Sequence, residues 1–529
     1  MPAINKIHEN VFIIAGSVAW VLTFSVGFII LAPQTDDGYY TISAMGTAIN
    51  GSPGFWIGDD FAPTFFLPTA FTYLYGLLLK LTMISGLEFG AFGFRVYQFL
   101  FIFLVPVVSF LALRRIFQRD YGIRFFILIT GLLVTHFTKS APTVRPEIIA
   151  TVLFILFLSL RQGKFAHSAL PAFVLALSGT MHPNFMILAI TVFLFDLIRN
   201  RQLIRANTLK RTLGSIFAFA LPLGVLAIYY FNNLSEYQQQ ISGRASIINS
   251  NIWDSPVMML NDLFFWNDTE GIIFGLYIAY AALSFLVVML TSTILVWRKR
   301  SQVWQQEKLW LCLPMLLVQW VVFIALPNFL PYLALSSLLA ILIIVLLWQH
   351  PLLWVSSKRM RYVLLGAGFA LCMIYVGIHS GKSIVSPSQR LTPLSLHTAM
   401  SVVLDDPEAI FYTNANRLIA PLIDDFEEEG KIRVNLTYLD PDCLPPYLLE
   451  LASEHALKGL PAVDPHMTYW GFNKSSLAKI DNGELRYTTK GAPYSITIIP
   501  DETVYEDNRN LIVRASSITV KTVQMNFCE

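Results

Sequence analysis

Val11-Phe-Ile-Ile-Ala-Gly-Ser-Val-Ala-Trp-Val-Leu-Thr-Phe-Ser-Val-Gly-Phe-Ile-Ile-Leu-Ala32 is an unbroken, nearly all-apolar run, and Thr35-Asp36-Asp37-Gly38-Tyr39-Tyr40 follows it after only two residues. Roughly twenty apolar residues cross a hydrocarbon core of about 30 Å. The run therefore reads as a membrane-spanning helix, and Asp36 and Asp37 emerge side by side at a membrane surface. The run is too long for a signal peptide and lacks a small-residue cleavage motif, so it is expected to stay as the first helix.

Composition agrees. Of 529 residues, 55% are hydrophobic and 14% charged, with a mean hydropathy of +0.57, whereas about a quarter of a soluble globular protein is charged. The expected class is a polytopic α-helical membrane protein. Its net charge of +2 is unevenly spread: residues 381–529 hold 20 of the 35 acids and 13 of the 37 Lys and Arg, giving −7 there and +9 before it. That asymmetry divides the chain at about residue 380 into a membrane domain (1–380) and an acidic soluble domain (381–529). Within the first, 33–91 and 232–270 read as outer loops.

Further apolar runs lie at roughly 92–113, 124–141, 146–160, 168–183, 184–198, 211–231, 271–297, 308–326, 330–349 and 361–379, giving about eleven transmembrane helices. Short loops rich in Lys and Arg stay cytoplasmic. Arg114-Arg115 with Arg119 and Arg124, Arg161 to Lys164, Arg199 to Arg205, Arg298-Lys299-Arg300 and Lys358-Arg359 fall on alternate loops, all on one side. This bookkeeping makes the N-terminus cytoplasmic and places the Asp36 segment, the Lys139 to Glu147 turn, the His182-Pro183 turn, loop 232–270 and the C-terminal domain on the opposite face. It also requires that Phe61 to Gly86 not span. That stretch is broken by Pro63 and Pro68, and is expected to be re-entrant or to lie along the interface.

Three outer segments carry groups suited to chemistry. In the first, Tyr39 and Tyr40 follow the acidic pair at once, and Asp59-Asp60 sits in an aromatic, Gly-rich and Pro-rich stretch from Gly51 to Phe66. The second is Lys139-Ser-Ala-Pro-Thr-Val-Arg145-Pro146-Glu147, where Arg145 precedes a helix-opening Pro and Glu147 lies in the first turn of an apolar helix. Ionisable groups at membrane depth are costly and tend to be functional, and Arg suits bidentate phosphate contact. The third is Thr180-Met-His182-Pro183-Asn184, where a structural histidine is the plainer reading and a donor to an anion the functional one. Loop 232–270 adds Arg244 among aromatics that serve either as bilayer anchors or as a cover over a site.

Beyond residue 400 the pattern changes. Strands are expected at 408–413, 431–439, 485–489, 494–499 and 511–523, and helices at 417–429 and 446–458, so the soluble domain reads as small and α/β. It has no Gly-rich phosphate loop and no metal-ligand spacing. Cys312 and Cys372 lie in apolar runs, whereas Cys443 and Cys528 are the two in the outer domain, where an oxidising compartment favours their pairing.

Asp36-Asp37-Gly38-Tyr39 after a first transmembrane helix, with Arg145-Pro146-Glu147 opening a later one, resembles the Emb-type arabinofuranosyltransferases of actinobacterial cell walls, members of the GT-C superfamily of polyprenyl-phosphate-sugar-dependent transferases. Those enzymes are about twice as long and carry larger carbohydrate-binding modules. The overall plan is also similar to a shorter relative that modifies type IV pilins in Gram-negative bacteria. The resemblance implies a bacterial inner-membrane enzyme that moves a pentose from a polyprenyl-phosphate donor to a hydroxyl of a glycan or pilin-like protein, with inversion. Asp36 would be the general base, with Asp37 positioning it or bonding the sugar. Arg145, Lys139, His182 and Arg244 would hold the donor phosphate, supported by Tyr39, Tyr40, Asp59, Asp60, Glu147 and Asn184.

A phosphate leaving group can be stabilised by such cations, so no metal or other cofactor is required, although the paired carboxylates could hold a divalent cation. The partners implied are the donor, the acceptor and the bilayer, with no nucleic acid. A lipid-linked glycan polymerase or ligase, which depends on a large outer loop, and a lipid or sugar transporter, which calls for charges near mid-membrane, remain the alternatives.

Overall fold

The computed structural model describes residues 2–31, 33, 35–57, 60–65, 67–135, 137, 143–162, 168–201, 206–238, 272–325, 333–347, 393–405, 410–413, 468–474, 477–479, 483–487, 494–506 and 510–522, with single positions between 363 and 374 and at 418 and 420. Two compact units emerge. One comprises Met1–Phe28, Gln98–Tyr229 and Ser250–Lys382, the other Ile29–Tyr97, Tyr230–Asn249 and Ser383–Glu529.

In the first unit the apolar runs form helices: α1 (Pro2–Ile30), α2 (Thr35–Asn50), α3 (Thr69–Ser85) and α4 (Gly93–Ile116) open the chain, α2 and α3 belonging to the second unit. Then come α5 (Tyr121–Leu133), α6 (Pro146–Leu160), α7 (Leu170–Met181), α8 (Pro183–Arg201), α9 (Ala206–Asn232), α10 (Ile272–Arg298), the short α11 (Arg300–Gln305), α12 (Cys312–Ala325) and α13 (Leu333–Leu347). Among the described residues, three stretches are long and apolar enough to cross a membrane, Glu9–Ile29, Gly90–Ile116 and Leu209–Asn232. The helices α5, α6, α7, α12 and α13 are shorter, and the expected run at 361–379 lies almost wholly outside the described residues.

Which helices face lipid is a matter of packing. Every residue of α13 is buried, and α5, α10 and α12 pack around it, as an all-round apolar helix requires. On α9, by contrast, Leu213, Phe217, Leu221, Val225 and Ile228 are all exposed. Apolar surface of that extent is stable only against hydrocarbon, so the chain is a helical membrane protein. Polar contacts join α10, α12 and α13: Ser292 Oγ lies 3.2 Å from Gln319 Nε2, and Ser336 Oγ donates to the Gln319 carbonyl at 3.2 Å. Between α1 and α4, Trp20 Nε1–H donates to the Ile102 carbonyl at 3.0 Å.

The basic loops meet at one end of this unit. Arg124 donates to the Val345 carbonyl and Lys299 to that of Leu347 at 3.0 Å, while Lys308 reaches the Ile116 carbonyl at 3.2 Å. Arg161 pairs with Asp196, and the Gly122 N–H donates to Glu9. Cations thus cap the last turns of α13 and α4, where unpaired carbonyls and the helix dipole favour positive charge.

In the second unit the segment after α1 is not a loop, as the sequence suggested, but the buried helix α2. Two carboxylates in its first turn face the positive end of the helix dipole, which favours helix there. It crosses α3 at Gly76, where a Cβ would come within 2.4 Å of the Ala44 carbonyl oxygen. A hairpin of β1 (Gly54–Ile57) and β2 (Asp60–Pro63) intervenes, and α3 begins directly after Pro68, so Pro63 and Pro68 mark boundaries. The outward face of α3 exposes Tyr73, Leu77, Leu81 and Ile84. Phe65 meets the edges of a stacked Tyr230–Tyr237 pair, and the Thr69 and Tyr230 hydroxyls are 3.1 Å apart, fastening the start of the 232–270 segment.

Among its described residues, the C-terminal part of this unit has a helix, α14 (Pro393–Leu404), which the sequence reading missed, and a sheet of six strands. Its strands are β3 (Ile410–Thr413), β4 (Thr468–Asn473), β5 (Leu477–Lys479), β6 (Leu485–Tyr487), β7 (Tyr494–Glu506) and β8 (Asn510–Thr522), in the order β3-β4-β8-β7-β6-β5, with only β3 and β4 parallel. β7 runs seven residues beyond its expected end at Ile499, through Pro500. β6 pairs with β7 only as far as Ile498, so the missing N–H of Pro500 costs no ladder bond on that side, and a bulge absorbs it on the other. The expected elements at 431–439 and 446–458 lie outside the described residues, as does 417–429 except for two positions.

Candidate active site

Adjacent residues on a helix point about 100° apart, so α2 cannot present Asp36 and Asp37 together. Asp37 turns inward and is fully buried, its Oδ2 accepting a hydrogen bond from Arg95 Nη2 at 2.6 Å. Arg95 Nη1 donates to the Leu31 carbonyl at 2.6 Å, just past the end of α1. One guanidinium therefore ties the end of α1, the first turn of α2 and the first turn of α4. Asp36 remains half-exposed. Tyr39 is half-buried as well, whereas Tyr40 is buried with its ring edge-on to Phe71, centroids 5.3 Å apart. In this arrangement Asp37 is closed off from solvent and held by Arg95.

Arg95 escaped the sequence reading, although the signal was present. It is an ionisable residue in the opening turn of an apolar helix, the same criterion that singled out Glu147.

The second cluster belongs to the first unit and is built twice by one local device. A residue before proline is pushed to extended backbone. Arg145 (φ −147°, ψ 146°) accordingly precedes Pro146 at the start of α6, and His182 (φ −155°, ψ 138°) precedes Pro183 at the start of α8. Proline at the first helical position loses nothing, since its missing N–H would have no partner there.

The two extended residues meet at Glu147, in the first turn of α6. Arg145 donates from Nη2 to Glu147 Oε1 at 2.7 Å and from Nε at 3.1 Å, and His182 Nε2 lies 3.7 Å from the same oxygen. The Asn184 N–H donates to His182 Nδ1 at 3.2 Å, so the neutral ring carries its proton on Nε2, facing the carboxylate. All four residues are buried. Glu147 occupies the Nε–Nη2 edge of Arg145.

Asp60 opens β2 opposite Ile57. Lys139, Asp59, Arg244, Cys443 and Cys528 lie outside the described residues. Among the described residues, no three His, Cys, Asp or Glu side chains come together as a metal-binding group, and Cys312 is a buried free thiol.

Several solved structures resemble the chain. ArnT from Cupriavidus metallidurans in the apo state shares 11% identity at a TM-score of 0.46, over 98% of this chain and 99% of that one. The same protein bound to undecaprenyl phosphate shares 10% identity at a TM-score of 0.47, over 95% and 97%. The archaeal oligosaccharyltransferase AglB from Archaeoglobus fulgidus, in complex with an inhibitory peptide and a dolichol-phosphate, shares 12% identity at a TM-score of 0.47, over 88% and 69%. No protein-family model matches the chain, and no curated protein does.

Proposed function

We propose that the protein is an inverting glycosyltransferase that moves a pentose, arabinofuranose in the first instance, from a polyprenyl-phosphate carrier to a hydroxyl of a glycan or pilin-like acceptor. It would act on the non-cytoplasmic face of a bacterial inner membrane, with the C-terminal domain in the periplasm. The observation that carries this reading is the unequal fate of two adjacent carboxylates at the end of a membrane-spanning helix, one sequestered by Arg95 and the other half-exposed.

Asp36 takes the proton from the acceptor hydroxyl as its oxygen attacks the anomeric carbon, and the bond to the phosphate oxygen breaks on the opposite face. No covalent enzyme intermediate forms. Charge gathering on the leaving phosphate needs donors aimed at it, a role assigned to Arg145 and His182, with Lys139 and Arg244 as further cations. The reaction needs no metal in this scheme.

The test is release of polyprenyl phosphate from synthetic polyprenyl-phosphoryl arabinofuranose by the purified protein. Asp36→Asn is expected to bind donor normally and to lower turnover by about 10² to 10⁴, the usual worth of a positioned general base. Undiminished turnover removes Asp36 from the mechanism.

A further inference from the structure

We propose that Arg95 is the positioning residue that sorts the two aspartates, withdrawing Asp37 into the protein and fixing the half-exposed Asp36 as the single carboxylate that meets substrate. The inference rests on the transferase reading for its catalytic consequence, but not for the sorting itself.

The geometry is specific. Both side chains of the Arg95–Asp37 pair are fully buried, and their contact is 2.6 Å. The same guanidinium spends its other terminal nitrogen on the Leu31 carbonyl and lies 4.8 Å from the centre of the Phe94 ring. A planar fork with donors in fixed directions can hold two acceptors at once, which a flexible ammonium does poorly. Leu31 lies five residues before Asp36, and Asp37 follows it directly. Held at the next residue on one side and at Leu31 on the other, the Asp36 backbone has less freedom to swing. A base displaced by about 1 Å can lose about 10² in rate, so the tether is worth having at this position.

A buried pair that served stability alone predicts something different from a pair that positions a base. Removing one partner strands a charge and is destabilising, whereas replacing both by neutral groups often is not. Arg95→Met and Asp37→Asn are each expected to lower the unfolding midpoint, and the double variant to recover most of that loss. If Arg95 positions Asp36, the double variant still turns over about 10²-fold more slowly per folded molecule, with the KM for polyprenyl-phosphoryl arabinofuranose unchanged. Recovery of kcat in step with the midpoint overturns the proposal. Should the double variant fail to fold, Arg95→Lys decides: reduced kcat at unchanged KM is expected, and full kcat overturns the role.

A second measurement needs no donor. Purified protein is treated with a water-soluble carbodiimide and glycine ethyl ester, and amidation is located by peptide mass spectrometry. Modification of Asp36 and not Asp37 is expected in the wild type, with the selectivity lost in Arg95→Met; modification of Asp37 in the wild type overturns the sorting. A wild type that is amidated only at Asp36 yet turns over no polyprenyl-phosphoryl sugar overturns the transferase reading and leaves the sorting supported.

Discussion

Glu147→Gln keeps the shape of a buried side chain while removing its charge. In the wild type the carboxylate accepts Arg145 Nη2–H at 2.7 Å and Nε–H at 3.1 and 3.2 Å, and both residues are almost completely buried. Breaking a buried ion pair from one side costs about 3–5 kcal/mol. Glutamine still offers one acceptor oxygen, which puts the expected loss near 3 kcal/mol. At about 2.1 cal/mol/K per residue, the larger unit loses about 0.6 kcal/mol/K at its midpoint, so the unfolding midpoint should fall by about 5 °C. Thermal unfolding in detergent, followed by tryptophan fluorescence, measures this. The same scan with added polyprenyl monophosphate probes function, because a ligand stabilises in proportion to its affinity for the folded state. An unneutralised Arg145 should bind the phosphate more tightly, and the added lipid should raise the midpoint more in Glu147→Gln than in the wild type. A variant that unfolds at the wild-type midpoint refutes the energetic reasoning. Equal ligand shifts in the two proteins refute Arg145 as the phosphate group.

Two further perturbations test the packing that supports the candidate sites. Gly76→Ala places a methyl 2.4 Å from the Ala44 carbonyl oxygen and from Thr47 Cβ, forcing α2 and α3 apart at a cost of about 1–3 kcal/mol. Because α2 carries Asp36 and Asp37, turnover should fall along with the unfolding midpoint. Gln319→Leu removes the side chain that joins Ser292 to α12 and should cost about 0.6–2 kcal/mol, the range for polar contacts between membrane helices. Combining it with Ser292→Ala should add less than the single cost of that second change, whereas full additivity would show that the two side chains do not interact.

Much of the helical part was readable because its causes are local. Hydropathy alone outlines α4, α6 and α9 to within a few residues, and Pro146 and Pro183 open their helices where the sequence indicates. The basic loops were expected on one side, and the structure brings Arg124, Lys299 and Lys308 to one end of the helices, where they cap carbonyls of α13 and α4. The failures share a cause as well. α2 was taken for a loop because its apolar content is modest and its threonines and serine are polar, yet nearly all of it is buried against α3 and the hairpin. β4 was missed because it is fixed by β3 and β8, which are remote in sequence, and β5 because it is only three residues long.

By itself, the sequence determined that this is a membrane protein of many helices whose last 149 residues carry an excess of acids. It also determined that Arg145 and His182 sit at proline-opened helix starts, since hydropathy and backbone sterics act within a few residues. Only the tertiary structure decided that Asp37 is withdrawn while Asp36 is not, because that depends on Arg95, 58 residues away in the chain. It likewise decided that Glu147 joins Arg145 to a histidine from another helix, and that α13 is surrounded by protein while α9 faces lipid. Both helices are apolar, and only the set of neighbours that folding supplies tells them apart.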